Sequence, residues 1–501
     1  MKKEKNNIFI STADIDNILT EPEKELYQDF IRELKLHVKM SKLQSALLIN
    51  DFNAGIMYYH NNGLSFEEAA RRLDPRRLGG FYSAPANYWY PLDNAAIIYP
   101  LSMKHGVMPM FRLGVYLKED VIPEILQLAL DFTIKRFPSF GTTIKKGFFW
   151  HYLDSTKRRF TVEEEKIIPL RPIKVATTGS QSFRVMYFGK RISVEYFHVL
   201  TDGTGGMIFL KTLTAEYLRL LGHPVTPTDG VWDIEEAPSQ SEVSNEFAKT
   251  ERQEGVQGFM GHIAAQISGR ATSLKPCQVL HLEMDAEKLR NRAHEYGVSL
   301  TSYLVATMLV AGKYACQDTN GEFRIQVPVN MRKYNGSNTV RNYSMYFSAD
   351  LPLSQITNVS DIVDDVAEQI KFKSSKEEMT KMMSTTVKLV QSLKYVPLAI
   401  KKPVVEIVYG FLGDRIFSSY LSNLGVIKLP AEMEPFVDRF DFLLSPSEVC
   451  RASCALVTYN NKAIFSITKI TSVPSFEERL VKLLEDDGLT VEVSGSPLYE
   501  S

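Results

Sequence analysis

The clearest pattern in the chain is a pair of β-branched and aromatic runs around residue 190. Phe183-Arg184-Val185-Met186-Tyr187-Phe188 and Arg191-Ile192-Ser193-Val194-Glu195-Tyr196-Phe197 are joined at Gly189-Lys190, which predicts a hairpin with a tight turn. Thr204-Gly205-Gly206 then opens residues 207–218, whose apolar spacing suits a helix packed on a sheet. Upstream, 121–137 reads as a helix preceding the hairpin. Downstream, 279–284, 323–327 and 342–347 read as strands, with two helices between the first and second. Residues 455–459 and 463–468 form a second hairpin around Asn460-Asn461, and Pro474 starts a last helix at 475–480.

Four parts follow from these elements. Residues 1–75 look helical and charged, with Ser65 and Glu68 in capping-box spacing, and carry no chemical motif. Residues 76–225 hold the first hairpin. A polar stretch rich in Gly, Ser and Glu over 226–275 reads as a crossover linker, and 276–501 repeats the grammar of the first unit.

Composition narrows the function classes. With 501 residues and 44% hydrophobic positions the chain can bury large cores, and more than one domain is expected. Net charge is −1 with both signs dispersed, and no basic stripe is interleaved with aromatics, which argues against nucleic-acid binding. Four cysteines are too few for a disulfide scaffold. Cys450 and Cys454 lack a second pair at zinc spacing, and the scattered histidines, among them His37, His60, His105 and His151, have no companions at metal spacing; no metal is expected. The charged start is followed by an apolar run too short for a signal peptide, and no run approaches a membrane span, so a cytoplasmic protein is expected. Residues 393–405 set lysines beside apolar side chains that could touch lipid, but two prolines break any long amphipathic helix. Core packing with solvated lysines is the reading favoured there, and membrane contact is at most peripheral. The cluster at Tyr88, Trp89 and Tyr90 is read as core, with a channel wall as the alternative.

The candidate chemistry sits at the end of the first hairpin. His198, Asp202 and Gly203 form H-x-x-x-D-G just before the Gly-rich helix start. An imidazole titrates near neutral pH, so a fixed His can take a proton from a hydroxyl, amine or thiol. On the residues alone, a His satisfied by local hydrogen bonds, with Asp202 merely capping the next helix, stands equally well.

The motif resembles the signature of the CoA-dependent acyltransferases, which include chloramphenicol acetyltransferase, nonribosomal peptide condensation domains, wax-ester enzymes and bacterial alcohol acetyltransferases. Further landmarks keep the same order. Lys135-Arg136-Phe137-Pro138 resembles the R-H-P element of condensation domains, and Gly297-Val298-Ser299-Leu300 the helix opening of the second half. Val327-Pro328-Val329-Asn330-Met331-Arg332 resembles the P-x-N-x-R strand of alcohol acetyltransferases, and Ser422-Asn423-Leu424-Gly425 their S-N-L-G. There are departures. Phe197 stands where condensation domains carry a first histidine, Gly141 replaces the second Arg of the R-H-P-x-L-R element, and Thr301-Ser302 replaces the Asn-Asp of wax-ester enzymes. No D-F-G-W-G element is present.

The resemblance implies an α/β fold: two chloramphenicol-acetyltransferase-like sandwich subdomains forming a pseudo-dimer, plus the helical extension, with a tunnel between the halves. It implies acyl transfer, acetyl or short-chain, from acyl-CoA as co-substrate, with no bound cofactor, to a small alcohol or amine. An acyl carrier protein as donor and a non-catalytic thioester-binding relative are the alternatives. A monomer suffices for one complete site. By the same resemblance His198 is the general base and Asp202 is structural, paired with an arginine; Arg136 is the first choice and Arg332 the second. Gly203 permits a backbone geometry that a Cβ would obstruct. Ser422, Asn423 and Asn330 are candidates for oxyanion or acceptor contacts, with a turn or cap role equally open for the first two.

Overall fold

The computed structural model describes residues 9–83, 89–102, 108–156, 158–166, 168–173, 180–249, 262–401 and 414–499. Tyr88, His105 and residues 402–405, singled out above, lie outside them, as do residues 1–8 and 250–261.

A five-stranded sheet carries the first hairpin, in the order Val437–Leu444, Met110–Leu117, Arg191–Phe197, Phe183–Phe188, Val162–Glu164. All pairs are antiparallel except the last. Its strands alternate. Phe111, Leu113 and Val115, with Ile192, Val194 and Tyr196, are buried in the core that includes the helices Pro123–Thr133 and Gly203–Leu220. The opposite face is polar yet also buried, carrying Arg112, Ser193, Glu195 and Asp441. Buried polar groups need partners, and Arg112 finds them in Glu165 at 2.7 Å and Ser193 Oγ at 2.9 Å.

A seven-stranded sheet occupies the second half. Its order is Ser344–Pro352, Glu322–Asn330, Ser419–Val426, Ala452–Tyr459, Lys462–Lys469, Gln278–Asp285, Glu492–Gly495. The expected strands at 279–284 and 323–327, the hairpin around Asn460-Asn461 and the last helix, Ser475–Asp486, are all present. Asn460 and Asn461 both adopt positive φ, as a two-residue hairpin turn of this hand requires. The strand expected at 342–347 begins later, at Ser344, because Val340–Tyr343 forms a strap against the first half. A small sheet pairs Trp89–Pro91, His151–Ser155, Thr142–Lys146 and Ser180–Gln181.

Sheet membership does not follow chain order. Val437–Leu444, from the second half of the sequence, hydrogen-bonds to Met110–Leu117 and so completes the first sheet. The N-terminal helices are equally integrated. Phe52 of the helix Lys42–Asn61 meets Phe132 edge-on at 5.8 Å, and Tyr59 donates from its hydroxyl to Leu220 O at 2.7 Å. A Cβ on Gly55 would come within 2.4 Å of Leu128 Cδ1, so that helix lies hard against the core.

Two surface expectations change. Trp89 is exposed, not core. In the 393–401 stretch Leu398 is buried and Lys394 exposed, as expected, but Lys401 is buried, with Nζ over the Trp150 ring at 3.0 Å, and Tyr395 and Ile400 are exposed. Among the described residues no helix is long and apolar enough to cross a membrane.

Candidate active site at the junction of the two halves

His198 follows the last residue of the strand Arg191–Phe197, and its backbone N–H donates to Pro109 O at 2.9 Å. The chain then turns through Val199-Leu200-Thr201 into Asp202, the N-cap of the helix Gly203–Leu220. Asp202 Oδ1 accepts from Gly205 N at 3.0 Å, satisfying one of the free N–H groups of the first turn. The capping role and the ion-pair role, set apart as alternatives in the sequence, coexist in one side chain. Its other oxygen, Oδ2, accepts from Arg332 Nη1 at 2.8 Å and from Tyr343 N at 2.7 Å.

The partner of Asp202 is therefore Arg332 and not Arg136. Arg332 is fixed by four further bonds: Nε to Thr339 O, Nη2 to Arg341 O, and both N and Nη1 to Asn330 Oδ1. Asn330 Nδ2 in turn bonds Thr204 Oγ1 at 3.1 Å. The Asn330-Met331-Arg332 segment thus clamps the His198–Asp202 turn from across the junction. Arg136 is buried elsewhere. It forms a bidentate pair with Glu242 at 2.6 and 2.8 Å and stacks over Trp232 at 4.3 Å, fastening the crossover segment. Its link to the site is indirect: Glu242 O accepts from Val340 N, and Val340 O accepts from Thr201 Oγ1 at 2.6 Å.

The reason expected for Gly203 also changes. Its φ is not positive; what favours glycine is proximity, since a Cβ there would stand 2.7 Å from Leu424 Cδ2. Gly205 is tighter still, with Val340 O at 2.2 Å and Thr201 Oγ1 at 2.3 Å from a Cβ position.

The histidine ring is packed by Phe111 and Tyr99, with centroids 5.0 and 5.2 Å away, yet keeps part of its surface accessible. Burial pushes its pKa down to about 4, only partly offset by the negative charge of Asp202 and by carbonyls that take a ring N–H. Those carbonyls belong to His198 itself and Thr201. Asn342, 1% exposed, donates from Nδ2 to the same His198 carbonyl at 3.0 Å and lies 3.3 Å from Nδ1. The result is an imidazole that is neutral at pH 7, on a backbone held in place by Asn342.

Sequence reasoning missed Asn342, Tyr99 and Phe111. Asn342 sits in the mixed run Ser337-Asn338-Thr339-Val340-Arg341-Asn342-Tyr343-Ser344, which offers no local signal that singles it out. Beneath it, Arg341 Nη2 lies 3.2 Å from Asp93 Oδ1, and burial raises the Asp93 pKa to about 6.

The Ser422–Gly425 stretch reaches the motif, though not through the residues expected. Asn423 Oδ1 accepts from Gly425 N and its Nδ2 donates to Thr301 Oγ1, so this side chain shapes the strand's bulge. Ser422 is buried in its strand opposite Ala455. Leu424 is the residue that touches the motif's glycine. Leu424 and Thr204 line a cavity of about 290 Å³ that runs along the first turns of the helix past Met207 and Lys211. Burial lowers the Lys211 pKa to about 8. Among the described residues no cluster of His, Cys, Asp or Glu is arranged to hold a metal.

No family model and no curated sequence matches the chain. Solved structures do. TRI101 of F. graminearum, complexed with coenzyme A and T-2 mycotoxin, superposes with a TM-score of 0.57 at 9% identity, covering 81% of this chain and 99% of that one. The TRI3 trichothecene 15-O-acetyltransferase of Fusarium sporotrichioides gives 0.53 at 10% identity, with 81% and 96% covered. Polyketide synthase associated protein 5 of Mycobacterium tuberculosis gives 0.51 at 12%, with 79% and 97% covered. The chain shares the α/β fold of these solved structures.

Proposed function

We propose that this protein is an acyltransferase that moves an acetyl or other short acyl group from a CoA thioester to an alcohol or amine. The observation that carries this reading is the state of His198. It is a neutral imidazole on a turn clamped by Asp202, Arg332 and Asn342 at the junction of a fold also adopted by a trichothecene 15-O-acetyltransferase. An imidazole whose conjugate acid has been pushed down to a pKa of about 4 is already deprotonated at neutral pH, the state a general base must start from.

In the proposed reaction the unprotonated ring nitrogen of His198 takes the proton from the acceptor O–H or N–H as that atom attacks the thioester carbonyl. The tetrahedral intermediate collapses with cleavage of the C–S bond, and the proton passes from the imidazolium to the departing thiolate, giving free CoA thiol and the ester or amide. Asp202 and Arg332 hold the turn and take no proton. The cavity beside Thr204, Lys211 and Leu424 offers space next to the motif for one of the substrates.

The test is thiol release from acetyl-CoA in the presence of a panel of alcohols and amines. Acceptor-dependent release supports the reading. Tight CoA binding with no release for any acceptor would move the protein to a non-catalytic thioester-binding role.

A further inference from the structure

The small sheet carries Gly147-Phe148-Phe149-Trp150 at the tip between Thr142–Lys146 and His151–Ser155. This tip packs against residues 393–401. Leu398 N donates to Phe148 O at 2.9 Å, Lys401 Nζ donates to Phe149 O at 2.9 Å, and the Phe149 and Tyr395 rings meet edge-on at 6.4 Å. Two segments far apart in sequence thereby form one surface. On it Phe148 is 72% exposed, Tyr395 76% and Ile400 60%, and Trp89 on the same small sheet is 64% exposed. Single exposed apolar residues are ordinary, but a fixed group of this size marks a contact surface.

Acids border it, since Lys145 pairs with Asp154 and Lys381 with Glu377 and Glu378. Closer to the aromatic group, 382–401 contains Lys388, Lys394 and Lys401 and no Asp or Glu, and 146–151 contains Lys146 and likewise no acid. Lys146 and Lys394 are exposed beside the aromatic group.

We infer that this face docks on an anionic lipid bilayer, with Phe148, Tyr395 and Ile400 entering the interfacial layer and Lys146 and Lys394 meeting headgroup phosphates. Aromatic rings favour the headgroup level of a membrane, and lysines flanking them are drawn to anionic lipid. A protein partner fits less well, because protein interfaces are depleted in Lys and enriched in Arg, and neither segment contains an arginine. A second copy would set like charges against each other. On the same small sheet, Trp89–Pro91 leads along the chain to Tyr99 at the His198 ring.

Vesicle flotation of the full chain tests this without reference to acyl transfer. The wild type should float with phosphatidylcholine vesicles containing phosphatidylserine, much less with phosphatidylcholine alone, and detach at high salt. Phe148→Ser/Tyr395→Ser and Lys146→Glu/Lys394→Glu, each checked for an unchanged melting curve, should both lose binding, the charge reversal by roughly tenfold or more. Absence of binding to either vesicle, or equal binding by the variants, overturns the inference. A wild-type dimer that the variants abolish, with no vesicle binding, overturns it too and assigns the face to self-association.

Discussion

Arg332 Nη1 and Asp202 Oδ2 meet at 2.8 Å across 130 residues of sequence, and both side chains are almost wholly buried. This pair joins the strand end of one sheet to the helix start beside the other, so the loop carrying His198 cannot move without it. Breaking a buried pair by removing one member leaves an uncompensated charge and costs about 3–5 kcal/mol. Asp202→Ala and Arg332→Ala should each lower the melting temperature and activity together, and their double-mutant cycle should show strong coupling. Arg136→Ala should destabilise through Glu242 but stay nearly additive with Asp202→Ala. Coupling of Asp202 to Arg136 in place of Arg332 would contradict the assignment.

Asn342 Nδ2 serves the histidine, while its Oδ1 accepts from Ser344 N and Oγ. Its Nδ2 bond to His198 O fixes the backbone from which the ring projects. Asn342→Ala should therefore reduce kcat on the order of tenfold to hundredfold, the scale of a small misplacement of a reacting group, while leaving KM for the CoA thioester nearly unchanged. A large KM effect with intact kcat would assign Asn342 to substrate binding.

The site residues that the sequence made legible are those whose meaning lies in short-range spacing. H-x-x-x-D-G places a base at a strand end and a cap at the next helix start, and Asn330-Met331-Arg332 keeps its two functional side chains within one turn of each other. What the sequence could not supply was distance across the fold. Arg136 and Arg332 are both arginines next to strand or helix ends, and only the packing of Val340–Tyr343 against Thr201 decides between them. Asn342 was hidden because 337–344 mixes several hydroxyls and amides, and nothing local marks the one that packing brings to His198. Val437–Leu444 was not foreseen as a strand of the first sheet, since pairing across more than 300 residues leaves no local mark.

The pH dependence follows from the direction of the histidine shift. Below its pKa the ring is protonated and has no basic nitrogen, so activity falls as pH falls through that value. With the folded pKa pushed down to about 4 from the ordinary 6.5, kcat/KM should stay flat well below pH 6 and decline only on approach to 4. The same shift affects stability. Between about 6.5 and 4 the unfolded chain binds a proton that the folded ring refuses, so this residue's contribution makes the fold less stable as pH falls through that window. His198→Gln should remove that part of the acid lability. An acid limb of kcat/KM near 6.5 would show that the ring is not desolvated as described.

Gly205 tests the closeness of the clamp. A Cβ there would meet the backbone oxygen of Val340, which cannot swing aside. Gly205→Ala should cost about 1–3 kcal/mol in urea unfolding, the usual range for overpacking, despite the higher helix propensity of alanine. A neutral or stabilising effect would mean that the Val340 strap is loosely held.

The central claim is that His198 is the base for acyl transfer, and the most direct measurement compares thiol release from acetyl-CoA by wild type and His198→Ala with the best acceptor of the panel. The account predicts a folded variant, with a CoA affinity close to wild type, whose turnover falls by roughly two to four decades. Turnover within a few-fold of wild type in a well-folded His198→Ala protein would contradict it.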